Sequence, residues 1–309
     1  MLKYQPNYPL RNLATLGIGG PAKSFVSVSS KEELLQTLNY AKENNLEFLI
    51  IGGGSNLLVS DTGVDKLIIK NQISGLHLEG VNLNVKSGTI LQDLVDYCIS
   101  HGLSGLQKMT GIPGTVGGAV FGNAGAYGQT ISDHISSIVI LNSFQDPKTI
   151  SKSDCNFNYR DSIFKKNQAI ILEVTFQLEK GDPATLQKEA EEILAKRLIK
   201  YPKGIKCPGS FFKNIIADTL PKEILEKVPQ DAIVYGKLPA GALLEIVGAK
   251  GDKLGDIEIA NYHANLFINQ GNGSAKDFYA LAKKYVQLVK EKFGITLEPE
   301  VQLISLPPI

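Results

Sequence analysis

Apolar runs long enough to cross a bilayer are missing from this chain. Its first residues, MLKYQPNYPLRN, contain no hydrophobic segment of signal-peptide type, so the expectation is a cytoplasmic protein without a membrane partner. Cysteine is scarce. Cys98, Cys155 and Cys207 are odd in number and widely separated, which argues against a disulfide scaffold and against structural zinc. No grouping of His, Cys, Asp and Glu has ligand spacing, and no metal is expected. Charge of one sign is not in excess either: 32 basic residues face 31 acidic ones, for a net charge of +1. That balance lacks the global footprint of nucleic-acid binding and leaves room only for a local basic pocket. There is no internal repeat and no low-complexity tract. With 43% hydrophobic and 20% charged residues in 309, the chain is neither disordered nor a membrane protein, and it is long enough for two or three domains.

What the chain has in abundance is glycine in two places. GIPGTVGGAVFGNAGAYG, residues 111 to 128, holds seven glycines and three alanines and no charge. IIGGGSNLL, residues 50 to 58, follows an apolar strand but does not match the GxGxxG fingerprint, and no GKS or GKT makes a Walker site. Each loop alone reads more readily as a tight turn. Together, two uncharged glycine-dense loops point to bare backbone lying against a large planar or diphosphate ligand, since consecutive N–H groups form anion nests without lysine. Composition leads to a nucleotide-like cofactor binder and no further.

The surrounding periodicities describe α and β elements in alternation. SSKEELLQTLNYAKENN reads as a helix capped at Ser30, with Glu33 completing a capping box and Leu34, Leu35 and Leu38 on its apolar face. KLIIK (66 to 70) reads as a strand. LEVTFQL (172 to 178) alternates as a half-buried strand, and ATLQKEAEEILAKRLIKYP reads as a helix ended by Pro202. Leu91, Leu94, Val95 and Cys98 recur at helical spacing, which makes Cys98 a core residue. KYPKGIKCPG marks a boundary near residue 200. SAKDFYALAKKYVQLVKEKFG is a helix capped at Ser274, and ITLEPEVQLISL a terminal strand.

Seven segments, in order and spanning essentially the whole chain, carry a resemblance. They are LGIGGPA (16 to 22), IGGGSNLL (51 to 58), GIPGTVGGAVFGNAGAYG, YRDSIF (159 to 164), GSFFKN (209 to 214), the KG…GD…HANLFIN stretch (250 to 269) and LEPEV (297 to 301). In these the chain resembles the UDP-N-acetylenolpyruvoylglucosamine reductases, flavoenzymes of bacterial peptidoglycan precursor synthesis. The resemblance implies an α+β protein with a vanillyl-alcohol-oxidase-type FAD-binding fold of two α/β subdomains (1–72 and 73–200). A third α/β substrate-binding domain (201–293) and a C-terminal strand (294–309) returning to the active site follow. It implies FAD and NADPH as cofactors, UDP-N-acetylglucosamine enolpyruvate as substrate, and a monomer. The pyrophosphate of FAD is expected at Gly52, Gly53, Gly54, Ser55 and Asn56, and the flavin side along Gly114, Thr115, Gly117, Gly118, Asn123, Ala124 and Gly125.

The resemblance also implies the catalytic set. Ser210 matches the proton donor, Arg160 the guanidinium that grips the substrate carboxylate, and Glu300 the third catalytic residue. Glu298 and Glu300 share parity on a strand, and only the family register, glutamate before valine, selects Glu300. Tyr159 and Asn214 match substrate-binding or neighbouring positions, while Lys203 and Lys206 remain alternatives for the diphosphate. His263 and Asn265 read as packing residues. Three departures stand out: the family's AGW is AGA (240 to 242), its proline after FFKN is Ile215, and no tyrosine-bearing insertion lies between YRDSIF and GSFFKN.

Overall fold

The helix expected after Ser30 forms over Lys31–Glu43 (α1) in the computed structural model, which describes residues 2–142, 146–167 and 169–309. The Ser30 hydroxyl accepts the Glu33 N–H at 3.1 Å. The Glu33 carboxylate reaches one residue further back than a capping box requires, accepting the Ser29 N–H at 2.7 Å. Leu34, Leu38 and Ala41 are buried and Leu35 only partly, so the apolar stripe is narrower than the sequence pattern indicates. The stripe packs on Val26, Val28, Leu67 and Ile69 of a four-stranded sheet. Its order is Gln5–Pro9, Pro21–Val28, Val64–Asn71, Phe48–Ile51, and the last two strands run parallel, pairing Phe48 with Leu67 and Ile51 with Lys70.

A second, five-stranded antiparallel sheet runs in the order Lys148–Ser151, Ile135–Leu141, Ile170–Gln177, Asn82–Lys86, Leu76–Glu79. The central strand alternates as its sequence requires, with Leu172, Val174 and Phe176 buried and Gln177 exposed. Helices Leu91–Ser100 (α2) and Val116–Phe121 (α3) bury Leu94, Val95, Cys98, Val116 and Val120 in one cluster with Val85, Ile138, Val174 and Phe176. Burial pushes the Cys98 thiol up to about 12, which makes it core rather than a nucleophile. Pro183–Lys200 (α4) adds Leu186 and Ala190 to the same core.

The chain divides into two compact units. The first gathers Met1–Tyr8, Lys23–Gly53 and Asp65–Ile199, the second Pro9–Ala22, Gly54–Val64 and Lys200–Ile309. In the second unit, after the single turn Lys222–Leu225 (α5), come Ala240–Ile246 (α6) and Ala275–Phe293 (α7). They pack with a three-stranded antiparallel sheet, Lys253–Leu254, Ile257–Ile259 and Phe267–Asn269, around Phe211, Phe212, Phe267 and Phe278. Ser274 caps α7 as expected, accepting the Asp277 N–H at 3.0 Å, and Gly294 at φ +75° ends it. Asp61 places a carboxylate at that N-terminus, accepting the N–H groups of Ala275 and Lys276 at 2.8 and 2.9 Å.

One expectation is corrected here. Of ITLEPEVQLISL only Gln302–Ile304 is a strand, and it runs parallel to Leu57–Val59. Pro299 has no N–H for a ladder, and the preceding residues make only an isolated bridge, Phe212 to Pro299. Among the described residues no helix is long and apolar enough to cross a membrane.

Candidate active site

In the first unit the two glycine-dense loops lie against each other. A Cβ on Gly52 would stand 2.2 Å from Thr115 Oγ1, and one on Gly53 would stand 2.7 Å from the Gly114 Cα. A Cβ on Gly117 would meet Ser87 Cβ at 2.9 Å. At these three positions neighbouring protein atoms themselves exclude a side chain. Gly118 differs: its nearest neighbour would be Thr115 Oγ1 at 3.5 Å, an ordinary contact, and the residue is exposed. Thr115 caps α3 by accepting the Gly118 N–H at 3.3 Å.

The second half of this loop holds Arg160. Asn123, at φ +42°, donates from Nδ2 to the Asn158 carbonyl at 2.9 Å. Asn158 and Asp161 exchange backbone hydrogen bonds of 3.0 and 3.1 Å, closing a turn with Tyr159 and Arg160 at its tip. The Arg160 guanidinium then donates to the carbonyls of Asn123 at 3.3 Å and Gly125 at 2.7 Å, and sits 5.6 Å from the Tyr159 ring centre. Ala124 lies between these two carbonyls, its own N–H donated to Ala119 at 2.8 Å. The Asn123 Oδ1 is buried with no partner among the described residues. A sealed acceptor without a donor is what an N–H of a bound ligand would satisfy.

The second unit assembles the other expected residues. Gly54 has φ +67° and its Cβ would fall 2.1 Å from the Leu13 carbonyl, so only glycine fits. After Ser55, the Asn56 Nδ2 donates to the Glu300 carbonyl at 3.1 Å, and the Gln302 N–H donates to the Asn56 carbonyl at 2.9 Å. The Glu300 N–H donates to the Phe211 carbonyl at 2.7 Å, and the Lys213 N–H to the Glu298 carbonyl at 2.9 Å. On its other edge the GSFFKN segment is clamped by Asn265, which accepts from the Phe212 N–H and donates to the Phe212 carbonyl, both at 2.8 Å. Thus three non-contiguous motifs meet through main-chain hydrogen bonds.

This register separates the two glutamates that parity left equivalent. The Glu298 side chain is 73% exposed and its charge is met by Lys213 Nζ at 3.2 Å. Glu300 is half-buried, one residue from buried Val301 and bonded to the segment that carries Ser210.

Ser210 follows Gly209, whose φ of +88° turns the chain sharply, and pairs with Leu266 in an isolated bridge. Its Oγ accepts a hydrogen bond from Lys200 Nζ at 3.1 Å and shares another with the Tyr201 hydroxyl at 3.2 Å. Neither Lys200 nor Tyr201 is among the expected site residues. They lie in the IKYP stretch, which reads as a helix end, and nothing in its spacing links it to a serine ten residues on. Asn214 accepts the Ala240 N–H at 3.3 Å, at the start of α6. The His263 Nδ1 accepts the Asn265 N–H at 3.2 Å, and burial, then the Lys200 charge, lower its pKa to about 4. Among the described residues no group of three His, Cys, Asp or Glu side chains could hold a metal.

Known proteins resemble the chain along its whole length. A family model described as an FAD binding domain matches residues 22–143. A second, described as UDP-N-acetylenolpyruvoylglucosamine reductase, C-terminal domain, matches residues 201–304. The UDP-N-acetylenolpyruvoylglucosamine reductase of Solibacter usitatus is 37% identical over 298 residues, covering 96% of this chain and 95% of its own. That of Desulforamulus reducens is 34% identical over 303 residues, covering 97% and 93%. The crystal structure of the Thermus caldophilus enzyme matches with a TM-score of 0.78 at 28% identity, covering 98% of this chain and 99% of that one. The fold is an α+β FAD-binding fold.

Proposed function

Since the chain belongs to the UDP-N-acetylenolpyruvoylglucosamine reductase family, we propose that it reduces the enolpyruvyl group of UDP-N-acetylglucosamine enolpyruvate to give UDP-N-acetylmuramate, with NADPH as reductant and FAD as bound cofactor. When bound, FAD supplies a two-electron relay between a nicotinamide and a second substrate. The residues assigned to it are Gly52, Gly53, Gly54, Ser55 and Asn56, with Gly114, Thr115, Gly117, Gly118, Asn123, Ala124 and Gly125. The unpartnered Asn123 Oδ1 and the open face at Gly118 support that assignment.

Reduction at the methylene carbon builds negative charge on the neighbouring carbon and its carboxylate. Arg160 holds that carboxylate with its planar, positively charged fork. Ser210 gives its hydroxyl proton to the carbon, and Glu300 orients or protonates at the carboxylate. Residues 201–293, including Asn214, bind the UDP-sugar, with Tyr159 contributing from beside Arg160. The observation that carries the reading is the setting of Ser210. An aliphatic hydroxyl is a feeble acid, and here a lysine ammonium donates to its oxygen at 3.1 Å, favouring the form that has lost its proton.

The test is anaerobic mixing, first with NADPH and then with the enolpyruvyl UDP-sugar, followed in the visible spectrum. A yellow protein that bleaches with NADPH and recolours with the UDP-sugar is the expected result. Recolouring only with oxygen would remove the substrate from the proposal.

A further inference from the structure

We propose that Tyr201 is a positioning residue for the proposed proton donor: its phenol occupies the second acceptor site of Ser210 Oγ and so directs the serine proton outward to the reacting carbon. The proposal rests on the reading of Ser210 given above.

A serine hydroxyl has one hydrogen to donate and two lone pairs to accept with. The Lys200 ammonium has only donors, so its 3.1 Å contact consumes one lone pair of Oγ. The Tyr201 hydroxyl lies 3.2 Å from the same oxygen. Phenol is the stronger acid of these two hydroxyls and is therefore the better donor of the pair. With Tyr201 donating, both lone pairs are filled, and the only capacity Ser210 retains is its own hydrogen. The hydroxyl is then restricted to being a donor.

The same two contacts serve after the transfer. As the O–H bond of Ser210 breaks and the C–H bond forms, the electron pair stays on Oγ. The alkoxide finds two donors already in place, the arrangement that lowers barriers where oxyanions develop. Its proton is then restored from solvent, which supplies the one proton that the net reduction consumes.

Tyr201 is held where this requires. Its ring packs against the buried cluster of Cys207, Ala260 and Leu266, and Leu266 is the residue bridged to Ser210. Lys200 Nζ lies 5.2 Å from the Tyr201 ring centre, which ties the two donors to each other as well as to the serine.

Tyr201→Phe removes the phenolic oxygen and little else. Recolouring of the NADPH-reduced protein by the enolpyruvyl UDP-sugar should slow about tenfold or more, the range for losing one hydrogen bond to a charged oxygen. Its solvent deuterium isotope effect should rise, because proton transfer becomes the slower event. Bleaching by NADPH, and the affinity of the oxidised protein for the UDP-sugar measured by titration, should not change. In a Ser210→Ala background the same substitution should have no further effect. Wild-type recolouring by Tyr201→Phe beside an impaired Ser210→Ala would overturn the Tyr201 proposal alone. An equal loss in both backgrounds would overturn it too, by making the tyrosine merely structural. Wild-type recolouring by Ser210→Ala would instead remove the proton-donor reading, and the Tyr201 proposal with it.

Discussion

Arg160 adopts φ +52°, a left-handed conformation costing a residue with a Cβ about 1–2 kcal/mol. The surrounding bonds hold it there: the Asn158–Asp161 turn, the Lys165 ammonium on the Arg160 carbonyl at 2.6 Å, and the guanidinium's bonds to two loop carbonyls. A lysine could not reproduce that planar geometry. Arg160→Lys should therefore slow substrate-driven recolouring roughly 10- to 100-fold, the worth of a hydrogen bond to a charged group, while bleaching by NADPH is spared. Equal losses in both half-reactions, measured by stopped flow, would contradict a role at the substrate carboxylate. His263 makes a different kind of prediction. Its folded pKa of about 4 lies below the ordinary 6.5, so on acidification the unfolded chain takes up a proton that the folded one refuses. Its contribution to stability is whole above pH 6.5 and lost as the pH falls toward 4. His263→Asn keeps an acceptor near Nδ1 and cannot titrate, so melting temperature should fall less steeply with acid than in the wild type. Parallel curves would refute the assignment.

Among the elements, the glycine loops separate into positions set by protein and positions open to a ligand. At Gly53 an added methyl meets the Gly114 backbone at 2.7 Å, whereas at Gly118, inside α3, it meets nothing closer than 3.5 Å. Gly53→Ala should lower the melting temperature of the flavin-free protein by several degrees, since it forces backbone apart. Gly118→Ala should leave that temperature unchanged or raise it, alanine being the better helix former by roughly 1 kcal/mol. If the flavin lies along this face, Gly118→Ala should weaken FAD binding in a fluorescence titration. Unchanged affinity would move the flavin elsewhere. Both glycines look alike in sequence, because a missing side chain records that space is denied and not what denies it. The terminal strand is shorter than its alternation for a related reason. The alternation of ITLEPEVQL reads as one strand, but Pro299 cannot donate to a ladder, and the regular pairing begins only at Gln302.

For the whole molecule, a cofactor that binds only the folded state must stabilise it. FAD at one hundred times its Kd should add about 2.7 kcal/mol and raise the melting temperature of flavin-stripped protein. No rise with FAD would remove the cofactor. Much of the rest was legible from order and periodicity alone. Ser30 and Ser274 announce helices because a cap is a local hydrogen bond, and the alternation from Leu172 to Phe176 gives a strand with one buried face because side-chain direction there has a period of two. The family could be read from seven ordered motifs, since each keeps its residues contiguous. What the chain order could not convey is which separated residues meet. Only folding draws Pro9–Ala22 and Gly54–Val64 into one compact unit with Lys200–Ile309. Only its registers distinguish Glu300 from Glu298, and only a side-chain approach across a sharp turn sets Lys200 and Tyr201 on the Ser210 oxygen. Those polar contacts join residues that no helical or strand period relates, and they leave no pattern in the sequence.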